Sequence, residues 1–298
     1  MVKKIILAII VFLFSSSTAL ADGEILVVQS ARIPPYEDAL NGFLSTSNYK
    51  IRRNILSESK TPGLKEDLKK TGIHLILAIG QDALMSVREI RDIPVVYIMV
   101  LNPQSILIHD ENFYGVCMSI LPDKQLEIFS KAIPGLNNIG LIYNPKNTGV
   151  FTEKAVMAAE KNGIHLITGK VSKAPDVPSI IRGMSDKIDA FWMIPDITLM
   201  TPEAIDLLLI TSIEKKIPIL TFSDKYVEMG ALLSIAVDPY DMGKQAGETA
   251  KKVLDQNLKE AENKIFAEKE IITLNRKIAK KLGIDLKIKM DSAGDIFK

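Results

Sequence analysis

Apolar and polar positions fall into two kinds of block that alternate along the chain. Short runs that are apolar throughout, such as Leu75–Ile79 and Val95–Val100, read as strands buried on both faces. Between them lie stretches with apolar residues three and four apart. In Lys124–Ala132 the stripe is Leu126, Phe129 and then Ile133, with Lys124, Glu127 and Lys131 outside it. On this basis strands are expected at Ile25–Gln29, Tyr49–Leu56, Leu75–Ile79 and Val95–Val100, then Ile139–Tyr143, His165–Val171, Ala190–Ile194 and Pro218–Phe222. Helices are expected at Pro35–Leu44, Gly63–Lys70, Gln81–Ile90, Lys124–Ala132, Phe151–Asn162, Val177–Lys187 and Pro202–Lys215. Polar Arg52 and Arg53 mark the second strand as partly exposed. The pattern predicts an α/β protein with parallel sheets covered on both faces, and the length predicts two lobes. Lys70–Ile76 and Lys161–Ile167 echo one another, each running from a helix end through Gly72 or Gly163 into a strand.

In parallel α/β sheets, ligands bind beyond the carboxyl ends of the strands, where helix N-termini present free N–H groups. The candidate site is therefore Ser30, Gly80-Gln81-Asp82 and Leu101-Asn102 in the first half. In the second it is Asn144-Pro145, Pro195-Asp196 with Thr198, and Ser223-Asp224. Asn102, Asn144, Thr198 and Ser223 offer hydrogen bonds. Asp82, Asp196 and Asp224 stand where helix N-caps belong, and each is also able to pair with an ammonium. Tyr36, Tyr226 and Tyr240 lie near loop-to-helix transitions and suit the cover of an apolar group. Trp192 lies inside an apolar strand, which favours core packing.

The first residues change the picture. Lys3 and Lys4, an apolar run from Ile5 to Phe14, and Ala19-Leu20-Ala21 have the layout of a secretory signal cleaved after Ala21. The alternative, an uncleaved anchor, is disfavoured by the brevity of the run. Removing Lys3 and Lys4 takes the net charge from +1 to about −1. A near-neutral chain without a basic stripe argues against nucleic acid. The single cysteine, Cys117, excludes an intramolecular disulfide framework and reads as a small buried side chain. The expected mature protein is exported and periplasmic, with no stable membrane insertion.

Catalytic readings lack their residues. His74, His109 and His165 are scattered, so neither a metal nor a Ser-His-Asp triad is expected. Ala78-Ile79-Gly80-Gln81 holds one glycine where a nucleotide fingerprint needs several, and no G-x-S-x-G elbow occurs. No cofactor is expected, and the protein is read as a binder that is not an enzyme.

Three stretches resemble a known family. They are Pro134–Pro145 (PGLNNIGLIYNP), Asp189–Asp196 (DAFWMIPD), and a third from Ile217-Pro218 through Ser223-Asp224, Gly230-Ala231-Leu232 and Val237-Asp238-Pro239-Tyr240 to Gly243–Gly247. With the helix expected at Leu274–Gly283, they resemble the substrate-binding proteins of ABC transporters, of the tryptophan- and tyrosine-binding type. The resemblance implies the type I periplasmic binding-protein fold, two doubly wound parallel-sheet lobes joined by a hinge. It implies a first lobe of residues 22–119 plus 238–266 and a second of 120–237 plus 267–285, followed by a tail, 286–298. The chain would cross near Ser119–Pro122 and return around Val237–Asp238, with helix Asp241–Leu254 packing on the first lobe. Asp238 and Tyr240 join the candidate ligand contacts. A small organic solute, an amino acid or related compound, would bind between the lobes of a monomer and pass to ABC permease subunits. Gln81-Asp82 departs from the small residues and threonines common in the family after the third strand, and Asp196-Ile197-Thr198 from its Thr-Asp-Asn-type run. A ligand-sensing subunit for a membrane receptor, or an exported α/β enzyme, are the alternative readings.

Overall fold

The computed structural model describes residues 24–46, 48–58, 64, 68, 72–107, 111–255, 263–287 and 294–297. The expected signal segment 1–21 lies outside the described residues, as does helix Gly63–Lys70 apart from helical Leu64 and Leu68. Of the tail, only 286–287 and 294–297 are described. In chain order the strands are β1 (Glu24–Gln29), β2 (Lys50–Ile55), β3 (Ile73–Ile79), β4 (Val95–Ile98), β5 (Phe113–Cys117), β6 (Asn138–Tyr143), β7 (His165–Lys170), β8 (Ala190–Trp192), β9 (Ile219–Thr221), β10 (Leu233–Val237), β11 (Lys264–Phe266), β12 (Glu270–Asn275) and β13 (Gly294–Phe297). The helices are α1 (Pro34–Leu44), α2 (Gln81–Val87), α3 (Pro122–Ala132), α4 (Pro145–Lys161), α5 (Val177–Met184), α6 (Pro202–Lys215), α7 (Asp224–Met229), α8 (Pro239–Leu254) and α9 (Arg276–Leu282).

The strands form two sheets. The first has the order β11-β5-β4-β3-β1-β2, with every pairing parallel. Its central strands explain why: β4 is buried throughout, and only His74 of β3 is exposed, so both faces require helices. The second sheet has the order β13-β12-β10-β9-β8-β6-β7. It departs from the all-parallel expectation, because β12 runs antiparallel to β10, with Leu233 opposite Leu274. The chain leaves this sheet at Val237 and returns from the first sheet at Glu270, the residue paired with it, so β12 runs back against β10. The same strand corrects the expected terminal helix: Leu274 belongs to β12, and α9 starts at Arg276.

Helices α1, α3, α4 and α8 begin earlier than their apolar stripes suggest, because proline occupies the first turn of each. The largest difference is α4, which starts at Pro145 instead of Phe151 and is kinked at Thr148, φ −128°. That first turn carries residues of the candidate site.

Helix α8 packs against α1 and the first sheet, although nearly two hundred residues separate the two helices. Gly42 and Gly243 make the approach possible. A Cβ on Gly42 would run into the carbonyl of Tyr240, and one on Gly243 into the carbonyl of Ala39 and the amide of Phe43. Backbone therefore rests on backbone. In the second sheet Trp192 is fully buried, edge-on to Phe129 and Phe151, and its Nε1–H donates to Gln125 Oε1 at 3.1 Å. It is a core residue. Tyr226, expected near a pocket, is also buried, edge-on to Phe222, and burial pushes its phenol up.

Three segments link the two sheets: β5 to α3, β10 to α8, and β11 to β12. They are tied to one another. Lys124 Nζ donates to the Glu268 carbonyl at 2.9 Å, and the Asp238 amide donates to the Lys269 carbonyl at 3.1 Å.

Candidate functional site

On the first sheet the site grows from the ends of β1 and β3. Ser30 follows β1, and its Oγ accepts the amide of Ala83 at 2.9 Å in the first turn of α2. It does the capping work that Gly80, the residue at the N-cap, lacks a side chain to do. Gly80 has φ +93°, and a Cβ there would lie 2.6 Å from Ser30 Oγ and 2.7 Å from the Tyr36 hydroxyl. Glycine thus lets Ser30 and Tyr36 converge. Tyr36 is half-buried, and burial, helped by the charge of Asp82, pushes its phenol up. Gln81 and Asp82 are exposed in the first turn beside it.

A polar network fixes this loop from below. Buried Gln29 donates to the Ala31 carbonyl at 2.7 Å and to Glu37 at 3.0 Å. Arg53 donates to Gln29 Oε1 at 2.7 Å and pairs with Glu37, whose carboxyl it holds below the ordinary value. Beyond β4, Asn102 adopts φ +50°, and its Nδ2 donates to the Pro195 carbonyl at 3.3 Å. That bond joins the loop of one sheet to the loop of the other.

On the second sheet the centre is Asp196, fully buried. One carboxylate oxygen accepts the Asn144 amide at 2.8 Å and the Thr148 hydroxyl at 2.6 Å. The other accepts Asn147 Nδ2 and the Thr198 amide, both at 2.9 Å. Asn144 caps α4 by accepting the Lys146 amide at 3.0 Å, and it donates to Thr198 Oγ1 at 3.0 Å. Asn147 reaches the same Thr198 oxygen at 3.0 Å. Asn144, Asp196 and Thr198 are therefore brought together, with Asn147 and Thr148, which the sequence reading missed. The overlooked signal was a polar run, Asn144-x-x-Asn147-Thr148, immediately after an apolar strand.

The expectation that the three aspartates cap their own helices is corrected. Asp82 is the second residue of α2, and Asp224 is the first residue of α7 behind Ser223. Asp196 fastens the start of α4, about fifty residues upstream in sequence. Its acceptor positions are taken by neutral donors, and it organises the loop. Asp224 accepts from the Ser234 hydroxyl, which turns it toward β10. Ser223 and Asp224 are half-buried.

Asp238 and Tyr240 lie at the hinge. Asp238 caps α8 through the amides of Tyr240 and Asp241, at 3.0 and 3.2 Å, and pairs with Lys269 at 2.6 Å. Tyr240 is exposed. Burial pushes the Asp238 carboxyl up, but Lys269 and the two amides outweigh it and hold the group below its ordinary 3.8. Such a carboxylate adds stability above its unfolded value and loses it as pH falls through the lower folded value. Acid unfolding of Asp238→Asn is therefore expected to be less steep than wild type below about pH 4, with parallel curves at neutral pH, in circular dichroism against pH.

Between the two loop systems lies a cavity of about 190 Å³, lined on one side by Val100–Gln104 and Cys117–Ser119 and on the other by Pro145–Phe151 and Pro195. Its lining is mainly apolar, with Asn102, Gln104, Ser119, Lys146, Asn147 and Thr148 as the polar residues. Cys117 is half-buried at the end of β5 and faces this cavity, so it is less enclosed than the sequence suggested. Burial pushes its thiol up, against a smaller pull from Lys264 and Lys154.

Comparison with known proteins gives the family and the fold. The family model for the ABC transporter substrate binding protein matches residues 48–293. A tyrosine-binding protein of Clostridioides difficile is 27% identical over 173 residues, 55% of this chain and 50% of the relative. An uncharacterised Rickettsia prowazekii protein is 26% identical over 123 residues, 41% of this chain and 40% of its own. The matches thus span about half the length of these curated relatives or less. Among solved structures, a ligand-free, open substrate-binding protein with adhesive properties from Clostridium difficile superposes with TM-score 0.67 at 22% identity. It covers 91% of this chain and 98% of that one. A Streptococcus pneumonia ABC domain in complex with L-Trp gives TM-score 0.60 at 22% identity, covering 90% and 96%. These likenesses show the fold. Among the described residues, no helix is long and apolar enough to cross a membrane.

Proposed function

The chain belongs to the family of ABC transporter substrate-binding proteins, and from that premise we propose that it captures an amino acid, an aromatic one foremost, between two lobes. The lobes are read as residues 22–119 plus 238–266 and 120–237 plus 267–285. In this reading the protein is exported, acts as a monomer, performs no covalent step, and delivers its ligand to ABC permease subunits. The carrying observation is that the loop after β4 faces the first turn of α4 and Pro195 across a largely apolar cavity, with Asn102 bonded to the Pro195 carbonyl across it.

The roles follow from chemistry. Asp82 is the exposed carboxylate on the first-sheet side and is assigned to the ligand's ammonium, with Gln81 beside it. Ser30, Tyr36, Ser223, Asn102 and Asn147 supply neutral hydrogen bonds. The cavity walls of Val100, Met118 and Phe151 receive the apolar side chain. Each loop contributes half a site, so ligand binds best when the lobes approach and thereby shifts the population toward closure. The names of relatives that bind tyrosine and L-Trp support the ligand class.

A thermal-shift panel of amino acids, organic acids and purines tests this. At a hundredfold excess over the dissociation constant, a ligand of the folded state adds about 2.7 kcal/mol. Tyrosine, tryptophan or phenylalanine is expected to raise the melting temperature. Asp82→Asn is expected to weaken that shift while leaving the unliganded melting temperature in place. A shift confined to purines or organic acids would overturn the amino-acid assignment.

A further inference from the structure

The lining of the cleft cavity carries charge of one sign. Lys146 is its one residue with an ionised side chain, and no carboxylate joins it. Burial keeps the Cys117 thiol of the same lining protonated. Lys146 is the second residue of α4 and is exposed. Most other polar residues of the lining already donate within the protein. Asn147 and Thr148 donate to Asp196, Asn102 to the Pro195 carbonyl, and Ser119 to the Ile120 carbonyl. Among the described residues the Lys146 ammonium has neither a hydrogen bond nor an ion pair. Asp196 lies behind the same helical turn, but its oxygens are met by Asn144, Asn147, Thr148 and Thr198.

A cation in the first turn of a helix is disfavoured, because the backbone amides there already carry partial positive charge. Helix α4 has no acidic residue in that turn to offset it. Ammonium and helix end therefore favour an anion at the same place. The apolar neighbours Val150, Phe151 and Phe266 reduce its screening once a ligand fills the space. We infer that Lys146 binds the ligand's carboxylate and restricts the site to molecules that bear one. The inference deepens the amino-acid reading and rests on it for the opposite charge, the ammonium assigned to Asp82. The two charges of one zwitterion are then taken from opposite sides of the cleft, Asp82 on the first-sheet side and Lys146 on the second. A ligand with both charges links the two sides, whereas one lacking either charge is held by a single side and favours closure less.

Isothermal titration calorimetry on the full chain tests this with tryptophan and phenylalanine, each beside the compounds that lack one of its charges. The amines are tryptamine and phenethylamine, and the acids are indolepropionate and phenylpropionate. Lys146→Gln is expected to weaken the amino acid and its matching acid about tenfold, the loss of one charge-assisted contact, and to leave the amine unchanged. Lys146→Arg keeps the charge and is expected to retain most of the affinity. The unliganded melting temperature of Lys146→Gln is expected at or above that of wild type, since the change removes a cation from a helix N-terminus. Equal affinity of wild type and Lys146→Gln for the amino acid, or equal affinity of wild type for amino acid and amine, overturns the inference and leaves the amino-acid reading standing. An acid that binds through Lys146 while neither amino acid binds keeps the inference and overturns that reading. Absence of saturable binding by all four carboxylates overturns both.

Discussion

Replacing Asp196 by alanine is expected to destabilise the protein by about 3 kcal/mol or more, because it strands several donors at once. The carboxylate is fully buried and accepts the amides of Asn144 and Thr198, the Thr148 hydroxyl and the Asn147 side chain. Removing it leaves those groups without acceptors and frees the first turn of α4, where the helix is already kinked at Thr148. Asp196→Asn keeps the shape but turns one acceptor into a donor facing donors, so an intermediate loss is expected. Urea unfolding at neutral pH checks both, read as the midpoint at constant slope. A second effect separates this account from a simple ligand contact. Asp196→Ala should lower stability without any ligand present. A variant with wild-type stability but lost binding would place Asp196 at the ligand instead.

Gly243→Ala is the second large expectation, at about 3 kcal/mol of destabilisation from overpacking. The added methyl meets the Ala39 carbonyl and the Phe43 amide, both of them backbone, so no side chain is free to swing aside. Helices α1 and α8 must part, and α1 carries Tyr36 and Glu37 of the site. Gly183→Ala in α5 is the matched control. Nothing lies within 4 Å of a Cβ there, so the same change is expected to stabilise by about 0.5–1 kcal/mol through the unfolded chain. Opposite signs for one chemical substitution would locate the cost in the helix crossing. Equal effects would remove that explanation.

Much of the fold is legible in the sequence because its central strands are short apolar runs that can only be buried on both faces. β1 and β3 lie where their runs predict, and α6 spans Pro202–Lys215 as read. What escaped was set by partners distant in sequence. The antiparallel placement of β12 follows from how the chain returns from β11, and local pattern carries no trace of that. The start of α4 was read too late because Asn147, Thr148 and Gly149 look like a loop; Asp196 and Thr198 hold them in a helical turn.

Which residues follow each strand is legible in the sequence; what holds each of them there is not. Counting residues after each strand finds Ser30, Gln81, Asp82, Asn102, Asn144, Thr198 and Ser223, since topology alone places them beyond the carboxyl ends of the strands. It does not tell a carboxylate that is exposed from one that is saturated. Asp82 and Asp196 look alike in sequence, and their difference lies in burial and in donors supplied from elsewhere. Gly80 shows the same limit: its importance comes from Ser30 and Tyr36, which approach it from another strand and helix.

Capture between lobes is the central claim, and small-angle X-ray scattering with and without the ligand found in the thermal-shift panel tests it most directly. At saturating ligand the radius of gyration is expected to fall, as the two sheets draw together around the cavity. Saturable binding with an unchanged scattering profile would contradict closure and leave a ligand held by one lobe alone.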